Sequence, residues 1–304
     1  MEQQVEFNTK DTNYKGKSIT PSAFQVIFRE FKKDKLAIVS LITLILLILG
    51  VFIGSLFLDQ AEVMKVSLRD KFAEPGNGFI LGADQAGRSI MGQLILGARN
   101  SIAIAISITV ITGTVGVCIG LVMGYYGGFI DNIFMRIIDF FMTLPQLMII
   151  IVVITIIPKY DVTSFVLILS VFLWVSTARL IRSKALSEGR RDYVNASKTM
   201  GTRDSVIIFR EMMPNISSLI IVELTLNFAG NIGIETGLTF LGFGLPAATP
   251  SLGTLVAYAV NPLVLAEKWW VWLPASLLIL VLMLGINYVG QALRRSADAR
   301  QRLG

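Results

Sequence analysis

The chain has 304 residues, 54% of them hydrophobic and only 16% charged, with a formal net charge of +6. Soluble chains carry about a quarter charged residues, so this composition excludes an ordinary soluble domain and points to a membrane protein. The absence of histidine removes imidazole acid–base catalysis, histidine metal ligation and zinc-peptidase motifs together, and the lone Cys118 cannot form an intrachain disulfide.

The first 20 residues are polar, with Lys10, Lys15 and Lys17. Gly16-Lys17-Ser18 is the nearest approach to a phosphate-binding loop, but Asp11 stands where the first glycine belongs, so the chain is not expected to hydrolyse ATP. No cleavable leader is expected, because the first apolar run begins only at Leu36 and is longer than a signal-peptide core. Thr20-Pro21 reads as a helix start. Phe24, Ile27, Phe28 and Phe31 then recur at i, i+3, i+4 and i+7, backed by Arg29, Lys32, Lys33 and Lys35. This pattern predicts an amphipathic helix within a cytoplasmic tail, 1–35, lying on the inner leaflet or packed against the bundle.

Leu36 to Leu58 is free of charge and long enough to cross a bilayer. A polar outer loop, 59–100, follows. It holds Leu81-Gly82-Ala83-Asp84-Gln85-Ala86-Gly87-Arg88-Ser89 and then Gly97-Ala98-Arg99. Asp84 and Arg88 are spaced to pair, and Gly82 and Gly87 suit a compact turn, so the segment reads as a clasp at the outer mouth, or as a receptor contact. The second span runs from about Ser101 to Tyr125, with Gly116, Gly120, Gly124 and Gly128 at successive i+4 steps. Such a ridge lets two helix backbones approach closely in lipid. Gly127-Gly128 then makes an inner turn. A third span follows, with Arg136 and Asp139, spaced to pair, and Pro145 near its inner end. The fourth is about Thr163 to Leu180.

Between Arg179 and Pro214 lies a charged island with eight of the 27 lysines and arginines. Tyr193, Ala196 and Met200 recur among its polar residues, predicting a short amphipathic helix that Gly201 ends. Such a helix on the inner face suits docking to a soluble partner; the plainer reading is an ordinary basic loop.

Span five carries Glu223, Asn227, Asn231 and Glu235 at successive i+4 steps, with Thr239 continuing the series. A carboxylate at the bilayer centre costs at least about 2.5–3.5 kcal/mol unless it faces protein or water, so the stripe must face inward. Two readings stand: the stripe lines a solute path, with Asn227 and Asn231 the path-facing pair and Glu235 the architectural member, or it bonds helices together. Prolines and glycines interrupt the next stretch, and an outer or re-entrant segment at 246–266 is expected, with a short helix beginning near Ser251. Trp269, Trp270 and Trp272 open span six as an interfacial belt, and Arg294, Arg295, Arg300 and Arg302 lie in a closing tail, 294–304. With both termini inside, 20 of the 27 lysines and arginines fall on the cytoplasmic side, as the positive-inside tendency requires. The surplus charge thus faces anionic lipid rather than nucleic acid.

Several of these segments resemble one family. Asp192-Tyr193-Val194-Asn195-Ala196-Ser197-Lys198-Thr199-Met200-Gly201, followed by Met213-Pro214, resembles the EAA loop of ABC importer permeases, with Asn195 where the motif has Glu and Ser197 where it has a second Ala. The segment from Leu81 to Ser89 resembles the LGTD-x-x-GRD element of the peptide-permease subfamily (dipeptide, oligopeptide and nickel relatives), with Ala83 and Ser89 departing from it. Gly97-Ala98-Arg99 resembles its YGAR element, Met135 to Pro145 its M-R-x-x-D…P element, and Glu235 to Gly242 its E-x-x-L-S-F-L-G element.

The resemblance implies an all-α polytopic membrane protein of type I ABC importer permease fold, with six transmembrane helices over 36–293 and both termini inside, in a bacterial cytoplasmic membrane. It implies that the loop 181–214 docks on an ATPase through Glu188, Arg190, Arg191, Asp192, Tyr193, Val194, Asn195, Ala196, Ser197 and Gly201. It implies an outer-mouth motif of Gly82, Asp84, Gly87 and Arg88. The implied partners are a second, homologous permease in a heterodimer, two ABC ATPase subunits that bind ATP and Mg, and an extracytoplasmic solute-binding protein. The cargo is a peptide, moved by alternating access, and the chain itself holds no cofactor, metal or catalytic residue. A nickel or other small-solute importer is the alternative within the class. A non-transporting scaffold is the alternative outside it. An intramembrane enzyme is disfavoured, since Glu223 and Glu235 lie about 18 Å apart along one helix, too far for a dyad.

Overall fold

The computed structural model describes residues 29–76, 78–157, 160–246 and 248–303, with side chains through Ala297. The expected amphipathic helix through Phe24, Ile27 and Phe28 lies outside these residues. Among the described residues the fold is helical, and the sole β feature is an isolated bridge between Ala83 and Ser89.

Five stretches are long and apolar enough to cross a membrane. They contain α1 (Lys35–Ser55), α2 (Ile90–Tyr126), α5 (Val162–Glu188), α7 (Met213–Phe240) and α10 (Trp269–Leu303). A sixth candidate crossing is a bent pair, α3 (Gly128–Thr143) and α4 (Gln146–Ile156), with 83° between its halves, the geometry of a broken span or of a re-entrant loop. Pro145 explains the break. It lacks an N–H for the helical ladder, and the residue before it is pushed to extended backbone, as Leu144 is at φ −83°, ψ 141°. At 11 residues, α4 is too short to cross a bilayer alone. The short helices include α6 (Asp192–Thr199), α8 (Leu252–Ala257) and α9 (Pro262–Glu267).

The core is built around α2 and α5. A Cβ at Gly116 would lie 2.8 Å from the Thr177 Cβ, one at Gly120 2.7 Å from the Ala178 carbonyl oxygen, and one at Gly124 2.3 Å from the Ala185 Cβ. All three neighbours are on α5, so the predicted ridge is a backbone-to-backbone seam. Gly128 is not part of it: with φ +52° it forms the turn into α3 beside Gly127 at φ +61°. One turn before Gly116, on the same stripe of α2, Gly113 receives Leu224 of α7. Helix α10 packs on α7, with Gly290 admitting Leu226, and α1 packs outermost, with Leu44 seated on Gly285. The outward side chains of α1 include Leu36, Val39, Ile42, Leu46 and Leu49, an apolar surface suited to lipid. Asp34 caps α1 by accepting from the Ala37 N–H and pairs with Arg295 on α10 at 2.7 Å, tying the two helices at one end.

The seam generates a paired prediction. Gly124→Ala should destabilise the solubilised protein by about 1–3 kcal/mol through overpacking against Ala185. Gly230→Ala, exposed on α7 with nothing within 4 Å, should be neutral or stabilising by about 0.5–1 kcal/mol. Thermal unfolding in one detergent measures both, and equal melting temperatures for the two variants would contradict the seam.

Candidate functional sites at the two ends of the bundle

Helix α5 leads directly into the first site. Its last residue, Glu188, is 6% exposed. Its carboxylate accepts from the Tyr193 hydroxyl at 3.1 Å and pairs with Arg191 Nε at 3.2 Å, which fixes the start of α6. Burial holds the Tyr193 phenol above its ordinary pKa, so it remains a donor. The far end of α6 closes in a Schellman motif. Gly201, at φ +77°, donates to the Lys198 carbonyl, and Thr202 donates to the Ser197 carbonyl, each at 3.0 Å.

One face of α6 is anchored. Val194 is fully buried among Leu121, Tyr125, Ile181, Ala185, Ile207 and Met212. Ser197 donates to Glu211 at 2.7 Å, a bond the alanine of the motif cannot make. Lys198 Nζ lies 4.3 Å from the centre of the Tyr125 ring, and the Tyr125 hydroxyl donates to Asp204 at 2.6 Å. The other face is open: Arg190, Asp192, Asn195, Ala196, Thr199 and Met200 are exposed. Asn195, which replaces the motif glutamate, therefore sits on the outward face and leaves the anchoring bonds untouched. Arg191 is exposed but committed to Glu188. Between this module and α7 lies a π-helical segment, Ile207–Met212, whose Ile207, Ile208 and Met212 complete the small core. Arg182 of α5 pairs with Asp131 of α3 nearby. The expected local pair does not form, and both Arg136 and Asp139 are exposed.

The second site lies at the opposite end of α2 and α5. Asp84 is fully buried. Its carboxylate accepts from the Ala86 N–H at 2.8 Å, the Arg88 N–H and Nε at 2.9 Å each, Gln93 Nε2 at 3.0 Å and the Tyr258 hydroxyl at 2.9 Å. Arg88 also donates to the Tyr258 oxygen at 3.1 Å. Burial, then the Asp84 charge, push the Tyr258 phenol up to about 12, so it stays protonated at neutral pH. The glycines are required by geometry. Gly82 (φ +75°) sits under the Trp270 ring, and a Cβ at Gly87 (φ +72°) would fall 1.8 Å from the Ser67 carbonyl oxygen. Ser89 caps α2 by accepting from the Gly92 N–H at 3.4 Å.

The polar stripe of α7 runs between these ends. Asn227 donates to Thr177 of α5, and Asn231 to Thr109 of α2, each at 2.9 Å. Asn231 is 5% exposed and Glu235 fully buried. Hydroxyls of Ser101, Ser251, Thr236 and Thr239 surround the Glu235 carboxylate. Glu223 and Asn227 are half-buried, with 3.3 Å between the amide nitrogen and Glu223 Oε1. Ser251 opens α8 with a reciprocal capping box, at the position expected for a short helix start. Asn100 donates to the Pro250 carbonyl at 2.8 Å, and Ser101 accepts from the Leu252 N–H at 3.1 Å, so α2 satisfies the irregular backbone before α8.

Residues 116–303, more than half of the chain, match the family described as the binding-protein-dependent transport system inner membrane component. The chain belongs to that family. Residues 22–72 also match the N-terminal transmembrane domain of oligopeptide transport permease C. The permease is 52% identical to the oligopeptide transport system permease protein OppC of Lactococcus lactis subsp. lactis strain IL1403, over 90% of this chain and 94% of the relative. It is 32% identical to the protein of that name from Bacillus subtilis strain 168, over 90% of this chain and 88% of the relative. It is 33% identical to the dipeptide transport system permease protein DppC of the same strain, over 91% of this chain and 86% of the relative.

Sequence reasoning missed Gln93, Tyr258, Glu211 and Tyr125 as members of the two permease sites. Each reaches its partner across the fold or from an otherwise ordinary helical face. Asp84→Asn should lower stability by about 3–5 kcal/mol, because Arg88 would be left without its buried partner. Tyr258→Phe should cost about 0.5–1.5 kcal/mol for its hydroxyl bonds. Melting temperatures of the two variants in one detergent check the order.

Proposed function

We propose that this permease is a transmembrane subunit of an ATP-driven importer of di- and oligopeptides, working by alternating access beside a second, related permease. The observation that carries this reading is α6: a capped helix anchored by one face at the end of α5, with the other face bare. Two ABC ATPases supply ATP hydrolysis and bind its Mg, and the bare face docks in a cleft of one of them. An extracytoplasmic binding protein delivers peptide to the opposite end, near Asp84 and Arg88. Family membership and the peptide-transport relatives support the substrate class.

The chemistry assigned to this chain is mechanical. ATPase closure displaces α6. The small core around Val194 passes that displacement to α2, α5 and α7 together, because residues of all three pack there. The solute path takes the half-buried polar groups, Glu223 and Asn227. Asn231 and Glu235, fully engaged between helices, hold the bundle instead.

Purification of the chain from native membranes in mild detergent should bring a second permease and P-loop ATPases, identified by mass spectrometry. Recovery of the chain alone, under conditions that keep known complexes whole, would sink the reading. Ala196→Trp, on the bare face, should cut peptide uptake by roughly tenfold in proteoliposomes while ATP turnover persists. Unchanged uptake would remove that face from the interface. Asn231→Leu should impair assembly, whereas Glu223→Gln with Asn227→Leu should impair uptake in a complex that still assembles. Uptake assays beside size-exclusion profiles separate the two.

A further inference from the structure

A cavity of about 840 Å³ lies at the end of the bundle remote from α6. Its walls come from four places: Ile154 and Thr155 at the end of α4, Tyr160 before α5, the segment from Gly242 to Pro246 after α7, and Thr254 and Tyr258 from α8 and the turn beyond it. Arg88 and Gln85 close one side. Its size lies within the roughly 300–1,000 Å³ of small-molecule sites.

The chemistry of the lining is specific. Apolar and aromatic surface from Ile154, Tyr160, Phe243, Leu245, Pro246 and Tyr258 alternates with the hydroxyls of Thr155, Thr239 and Thr254. Among the described residues no carboxylate lines it, and the cation that does, Arg88, is already offset by the buried Asp84. The Tyr160 hydroxyl is buried and has no hydrogen-bond partner among the described residues. Burial, with the Glu235 charge adding to it, holds that phenol protonated, so it is a donor awaiting an acceptor.

We propose that this cavity is a binding site for the uncharged interior of a peptide, with its amides meeting the Tyr160 and threonine hydroxyls and its side chains lying on the aromatic walls. Among its described lining residues the site has no free charge with which to read an α-amino group or an α-carboxylate. It therefore accepts peptides by their middle and is indifferent to their ends. Backbone amides are common to every sequence, so the site reads little of the side chains either. The proposal rests on the peptide-importer reading and names where and how the cargo is held in this subunit.

The test uses the whole complex of two permeases and two ATPases. Uptake of a radiolabelled pentapeptide into proteoliposomes, with the binding protein present, tests the importer reading. Photolabelling of the same complex in nanodiscs, without the binding protein, tests the cavity. The probe is a pentapeptide carrying benzoylphenylalanine at its centre, either with free termini or N-acetylated and C-amidated. Adducts are expected on the segments around Tyr160, Phe243 and Tyr258, in equal yield for free and capped probes. Tyr160→Phe should lower the yield by roughly two- to tenfold, the worth of one hydrogen bond. Thr155→Val, at the end of α4, gives the same readout should Tyr160→Phe fail to assemble. Uptake with adducts only elsewhere, or with capped probes failing to label, overturns the proposal and leaves the importer reading standing. No uptake of any peptide by an intact, ATP-hydrolysing complex overturns both.

Discussion

The rest of the molecule depends on the close approach of α2 and α5. Backbone atoms of α5 lie where side chains of α2 would be, which only glycine permits. In hydrocarbon no hydrophobic force draws helices together, so association relies on dispersion contacts and polar bonds at short range. The seam supplies the first in quantity. It also makes the two helices one rigid body. At about 1.5 Å per residue, the 37 residues of α2 run for roughly 55 Å, well beyond the apolar thickness of a bilayer. A single rod thus reaches from the Asp84 cluster at one end to the Val194 core at the other.

Two buried carboxylates organise the polar side of the fold, and they do so differently. Asp84 sits among donors that include a guanidinium, and it gathers a loop, the start of α2 and the segment after α8 into one knot. Glu235 sits among hydroxyls and joins α7, α2 and the start of α8. Both lie next to irregular backbone, whose polar groups must be satisfied inside the protein. Apolar seams hold the middles of the helices, while polar clusters hold the places where helices end.

Much of this was legible in the sequence, for reasons that differ by element. The glycine ridge from Gly116 to Gly124, the stop at Gly201 and the helix start at Ser251 follow from local stereochemistry, and the structure has all three, with Gly128 falling in the turn instead. The Asp84–Arg88 pair was legible because both partners lie within one tight turn. What failed were inferences that used a local partner where a distant one competes. Arg136 and Asp139 are spaced to pair, yet both point outward, and it is Arg182, 51 residues from Asp131, that forms the ion pair with α3. Asn231 looks free on the polar stripe only while Thr109 of α2, to which it is bonded, is unplaced. Pro145 was visible, but the size of the bend it leaves depends on packing outside the sequence window.

The π-helical segment at the base of α7 has a geometric consequence of its own. Hydrogen bonds from i to i+5 make each turn wider than in an α-helix, so six residues from Ile207 to Met212 store slack that an α-helix would not hold. Drawing that slack out, by tightening the segment to α geometry, would rotate what lies before it against what lies after it by about 100°, the arc of one residue. Glu211 is within the segment and is bonded to Ser197 of α6. Helix α6 is therefore bonded to a segment in which a change of helical pitch would turn α7 about its own axis.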